Sequence, residues 1–184
     1  MLLHPAVFLD RDGVIIENRA DYVRSWADVS FLPGALEALR HLNTRPYRII
    51  IITNQSAIGR GILALEEARS ISERIVTAVE REGGRIDAVY MCPHAPWEGC
   101  NCRKPQPGLI LQAAEENEID LQTSYFIGDA LPDLQAAQVA GIKDRILVLT
   151  GRGRDEFNSH ETRVVESFSI YTSLLHAVNA LFPG

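Results

Sequence analysis

Cysteine, positive charge and long apolar stretches are what this chain has least of, and each shortage removes a class of protein. Three cysteines cannot complete a disulfide framework, which excludes a stapled extracellular scaffold. Eighteen Lys and Arg against 24 Asp and Glu leave a net charge of −6, the wrong sign for a protein that gains affinity by neutralising nucleic-acid phosphates. The nearest approach to a basic patch is Arg152, Arg154 and their neighbours. The N-terminal stretch from Met1 to Leu9 is too short and interrupted for a signal or spanning segment and has no cationic start, which predicts a cytoplasmic protein without a membrane partner. No internal repeat, low-complexity tract or linker is present. A single domain over residues 1–184 is therefore expected.

What is there is alternation. Ala6 to Leu9 and Ile49 to Ile52 are apolar runs of buried-strand type, and Ala88 to Met91, Tyr125 to Ile127 and Ile146 to Leu149 are shorter versions. Between them, helical spacing joins Ala35, Leu36, Leu39 and Leu42, then Ile71, Ile75 and Val79 in a helix from Leu65 that stops at Gly83-Gly84. Leu109 to Ala114 and Leu134 to Ala140 give two more helices, and a last one is predicted over Ile170 to Leu181. The order predicts an α/β fold, a Rossmann-like parallel sheet flanked by helices on both faces. Ligands of such folds sit beyond the carboxyl ends of the strands, so the chemistry is to be sought just after each run.

The first run ends in Asp10-Arg11-Asp12-Gly13. If extended geometry persists for two more residues, both carboxylates face one site. The second ends in Thr53-Asn54-Gln55-Ser56, a hydroxyl and amides able to hold a phosphoryl oxygen, although such residues also serve as helix caps. Lys104 follows the third strand. Gly128-Asp129-Ala130-Leu131-Pro132-Asp133 stands between a strand and a helix, where capping alone is the competing explanation.

Cys92, His94, Cys100 and Cys102 form a C-x-H-x5-C-x-C pattern within a loop over about 91–104 that is bent by Pro93, Pro96 and Gly99. Four borderline-soft ligands so close can close a tetrahedron around zinc, and a closed tetrahedron is structural. The last ligand adjoins Arg103 and Lys104, so zinc is expected to tie down a loop that aims these two cations.

The ordered set of D-x-D, Thr, Lys and G-D-x-x-x-D resembles the haloacid dehalogenase (HAD) superfamily of phosphatases. The zinc pattern followed by R-K-P is similar to the D-glycero-D-manno-heptose 1,7-bisphosphate phosphatases and the histidinol-phosphatases. Thr53 to Gly61, TNQSAIGRG, and Arg103 to Gly108, RKPQPG, favour the heptose enzymes, whereas the compact His94 to Cys100 spacing is closer to the histidinol type. Ala130 stands where heptose enzymes commonly carry a lysine.

The resemblance implies a magnesium-dependent phosphatase with a minimal cap. Asp10 is the implied nucleophile and Asp12 the acid and base, with magnesium held by Asp10, Asp129 and the backbone carbonyl of Asp12. Thr53 and Lys104 are implied to hold the phosphoryl oxygens, and Asp133 to orient Lys104 or a water on the ion. Asn18, Asp21, Tyr22, Asn54, Gln55, Ser56 and Arg103 are the expected substrate contacts, with Arg60 a further candidate for a second anionic group. The implied partner is a small phosphorylated sugar or polyol, acted on by a monomer or weak homo-oligomer. A phosphate-accepting signalling receiver and a non-catalytic zinc module are the rivals from other classes.

Overall fold

A computed structural model of the chain describes residues 3–159 and 165–183, so Met1 and Leu2 of the N-terminal stretch lie outside the described residues. Six parallel strands form one sheet: β1 (Ala6–Leu9), β2 (Arg48–Asn54), β3 (Ala88–Cys92), β4 (Tyr125–Gly128), β5 (Asp144–Val148) and β6 (Ser169–Tyr171). Their order across the sheet is β3-β2-β1-β4-β5-β6.

The helices are α1 (Ala35–Asn43), α2 (Ser56–Gly59), α3 (Leu65–Arg81), α4 (Gly108–Glu116), α5 (Leu131–Ala140), α6 (Gly153–Asn158) and α7 (Leu174–Leu181). Because alternate strand residues face opposite sides, Val7, Leu9, Ile49 and Ile51 pack into one core with residues of α1, α3 and α7. Ala6, Phe8, Ile50 and Ile52 pack into another with residues of α4 and α5. Both faces are covered, which is why these strands read as continuous apolar runs rather than alternating ones.

The chain winds outward from β1 to β3, then returns to place β4 on the other side of β1. The strand order therefore reverses at the carboxyl ends of β1 and β4, the place where folds of this kind leave a crevice. Between β1 and α1 the chain makes a small excursion, tied by bridges pairing Asp12 with Ile16 and Ile16 with Phe31. This excursion occupies the place where the minimal cap is expected.

The last predicted helix starts too early. Ile170 belongs to β6, and α7 begins at Leu174, where the Ser173 side chain accepts a hydrogen bond from His176 N. The apolar pattern ran through a strand, a turn and a helix, and the serine cap marks the true start.

Candidate active site

Asp10 follows β1 directly, and its backbone N–H still donates to Ile127 of β4 at 3.0 Å. Its carboxylate is almost wholly buried against Lys104, whose Nζ donates to Asp10 Oδ1 at 2.8 Å, to Asp133 Oδ1 at 2.7 Å and to the Ile52 carbonyl at 2.7 Å. Asp133 is fixed from its other oxygen, Oδ2, by the Ala130 N–H at the start of α5. Capping and lysine orientation are thus two jobs of one side chain.

Extended geometry does not persist to Asp12. The chain turns after Asp10, yet both carboxylates still line one cavity of about 420 Å³. Asp12 is held by Arg11, whose Nε and Nη2 donate to its two oxygens at 2.9 and 3.1 Å, and by Gln55 Nε2 at 3.0 Å. Gln55 Nε2 also donates to Thr53 Oγ1 at 2.8 Å, so the expected phosphoryl-binding hydroxyl is linked to the expected acid and base through one amide.

Asp10, Asp129 and Asp133 bring carboxylate oxygens within 4.8 Å of one another. Asp129 is buried and its Oδ1 has no hydrogen-bond partner among the described residues, although a buried anionic oxygen needs one. Oxygen donors only, one of them orphaned, fit a hard divalent cation. Burial, and then the neighbouring carboxylates, push the Asp10 carboxyl up to about 8 against the pull of Lys104. Burial and the Asp133 charge push Asp129 up to about 6. Burial works against the Lys104 ammonium, but Asp10 and Asp133 outweigh it and hold the lysine protonated. One ammonium faces three buried carboxylates, and their mutual repulsion disfavours ionising all of them together.

The cysteines and His94 converge beyond β3. Cys92, Cys100 and Cys102 place their sulfurs 3.2 to 3.6 Å apart, and His94 Nδ1 lies 3.6 and 3.3 Å from the sulfurs of Cys92 and Cys102. Sulfurs on a zinc tetrahedron are about 3.8 Å apart, so this donor set fits zinc. The loop is joined to the end of β2 and to α2. Gly59 N–H donates to the Pro93 carbonyl at 2.8 Å. Asn54 holds the Lys104 backbone from both sides, accepting from its N–H and donating to its carbonyl, each at 3.1 Å.

The cavity is lined by Asn18, Tyr22, Asn54, Gln55, Ser56 and Arg103 among the expected contacts. Asp21 is not brought in: its side chain is 91% exposed and the nearby Arg24 is its ion-pair partner. Arg60 stacks over the exposed Trp97 ring, 4.7 Å from its centroid, and does not line the cavity. Sequence reasoning passed over Arg11 and Arg152, which do line it. Arg11 sits inside the D-x-D motif, and a charged residue at a buried strand end was a usable signal.

The family model for HAD-hydrolase-like proteins matches residues 101–170. Among curated relatives, the D-glycero-beta-D-manno-heptose-1,7-bisphosphate 7-phosphatase of Photorhabdus laumondii is 41% identical over 155 residues, covering 80% of this chain and 82% of that protein. The enzyme of the same name from Helicobacter pylori strain J99 is 43% identical over 144 residues, covering 78% and 82%. The chain belongs to this phosphatase family. A crystal structure of the D,D-heptose 1,7-bisphosphate phosphatase from B. bronchiseptica, complexed with magnesium and phosphate, superposes with a TM-score of 0.91 at 34% identity, covering 96% of this chain and 97% of that one. The heptose-bisphosphate phosphatase family consists of phosphoric monoester hydrolases, and the cluster of Asp10, Lys104, Asp129 and Asp133 stands where its fold leaves a crevice.

Proposed function

We propose that the chain removes the 7-phosphate from D-glycero-D-manno-heptose 1,7-bisphosphate, using magnesium at the aspartate cluster and zinc as a structural ion. The observation that carries the reaction class is the buried Asp10–Lys104–Asp133 bridge beside the orphaned Asp129 Oδ1. The substrate is supported by relatives 34–43% identical that bear the heptose phosphatase name.

Magnesium bound by Asp10 and Asp129, with the Asp12 carbonyl, supplies positive charge that keeps the carboxylates ionised and offsets their repulsion of a phosphate dianion. Asp10 attacks phosphorus in line, the bond to the sugar oxygen breaks, and Asp12 gives its proton to that oxygen. Asp12 then takes a proton from a water that attacks the aspartyl phosphate, releasing phosphate and restoring Asp10. Arg11 and Gln55 hold Asp12 at its position between these steps. Lys104 and Thr53 bind phosphoryl oxygens as charge shifts onto them.

Tyr22, Gln55, Ser56 and Arg103 surround the sugar, and Asn54 acts by holding Lys104 in place. A cavity of about 420 Å³ suits a small diffusible partner, and we place the enzyme in the cytoplasm as a monomer or weak homo-oligomer. Phosphate release from heptose bisphosphate, histidinol phosphate and simple sugar phosphates tests the reading. The heptose bisphosphate should give the highest kcat/KM, and preference for histidinol phosphate would reject it.

A further inference from the structure

Asp129 uses its two oxygens unequally. Oδ2 accepts from Asn18 Nδ2 at 2.8 Å and from the Arg152 backbone N–H at 2.8 Å, while Oδ1 is left without a partner among the described residues. One donor comes from the excursion after β1 and the other from the loop after β5, so two distant loops close over a single carboxylate oxygen.

Two glycines border that hydrogen bond. Gly13 and Gly151 both lie against the Asn18–Asp129 bond with positive φ, +88° and +54°. A Cβ on either glycine would overlap Asp129 Oδ2 and come within 2.7 Å of Asn18 Nδ2. The two loops are also tied to each other, because Thr150 Oγ1 donates to the Gly13 carbonyl at 2.6 Å.

We infer that Asn18 is a positioning residue for the metal centre: its amide fixes Asp129 Oδ2 so that Oδ1 is presented toward Asp10. This rests on the reading that Asp129 ligates magnesium. The two oxygens of a free carboxylate are equivalent, and the side chain can offer either one. Two fixed donors on Oδ2 remove that freedom before the cation binds, which lowers the ordering cost of binding. Asn18 thereby differs from the substrate contact that its place in the sequence suggested. It lines the cavity, and one N–H of its amide is given to Asp129 Oδ2.

Asn18 is largely exposed, so Asn18→Ala and the similarly sized Asn18→Leu should both fold. Magnesium alone, without substrate, is titrated into zinc-loaded wild type and both variants by calorimetry. Loss of an outer hydrogen bond to a metal ligand weakens binding by about 10- to 100-fold. The same variants should recover near-wild-type kcat at saturating magnesium, because the missing bond costs affinity for the ion and not the chemistry. Unchanged magnesium affinity in variants beside a magnesium-binding wild type, with a raised KM at every magnesium concentration, would make Asn18 a substrate contact and overturn the inference. A wild type that binds no magnesium would instead overturn the metal reading beneath it.

Discussion

Lys104 Nζ lies 2.8 Å from Asp10 Oδ1, which joins the residue two places after the last cysteine to the residue directly after the first strand. The pair is buried, and the lysine's other two bonds go to Asp133 and to the Ile52 carbonyl. Its charge is therefore the internal counter-ion of the aspartate cluster, and in the proposed function it also meets the substrate phosphate.

Replacing Lys104 by Met should damage activity and stability together. Loss of one preorganised donor to the transferring group lowers kcat/KM by about 10²- to 10³-fold. Stranding two buried carboxylates costs about 3–5 kcal/mol. Thermal melting in parallel with phosphate release checks both, and a variant with an unchanged Tm would show that the bridge is not a counter-ion.

Zinc should matter through Lys104. Cys100→Ser removes one of four converging donors, and Asn54 connects the loop to β2, the strand that carries Thr53, while Gly59 connects it to α2. Zinc content should fall and kcat/KM should drop by about tenfold or more. Metal analysis beside the phosphatase assay reads both, and full activity in a zinc-free variant would rule out this role.

Magnesium should stabilise the protein more at high pH than at low. The Asp10 and Asp129 carboxyls are raised from the usual 3.8 to about 8 and about 6, so between these values the folded state holds protons that the unfolded state has released. Stability from these groups is present in full below about pH 3.8 and is lost as pH rises toward 8. A cation that binds the ionised carboxylates opposes the loss. The rise in Tm on adding saturating magnesium to zinc-loaded protein should be clearly larger at pH 8 than at pH 5.5. An equal rise at both would contradict the shifts.

Much of this site was legible in the sequence because its residues follow apolar runs directly. Asp10, Thr53 and Asp129 each sit at or one residue beyond a strand's carboxyl end, and parallel-sheet topology carries those ends to one edge. The convergence of Cys92, His94, Cys100 and Cys102 was legible by spacing alone. The roles of Asn54 and Asn18 were not, because each depends on a partner 50 and 111 residues away that no local pattern reveals. Asp21 was misplaced with its neighbours: the excursion turns at Tyr22, which has φ of 66°, and leaves Asp21 facing out. Strand β6 escaped notice because it is three residues long and partly exposed, with no apolar run to mark it.

The central claim is that Asp10 accepts the phosphoryl group. The most direct measurement is phosphate release from heptose bisphosphate by Asp10→Asn, loaded with zinc and saturated with magnesium, beside wild type under the same conditions. An amide cannot form the covalent intermediate, and turnover should fall by on the order of 10⁴-fold while the variant stays folded. Turnover at the wild-type rate would contradict the account.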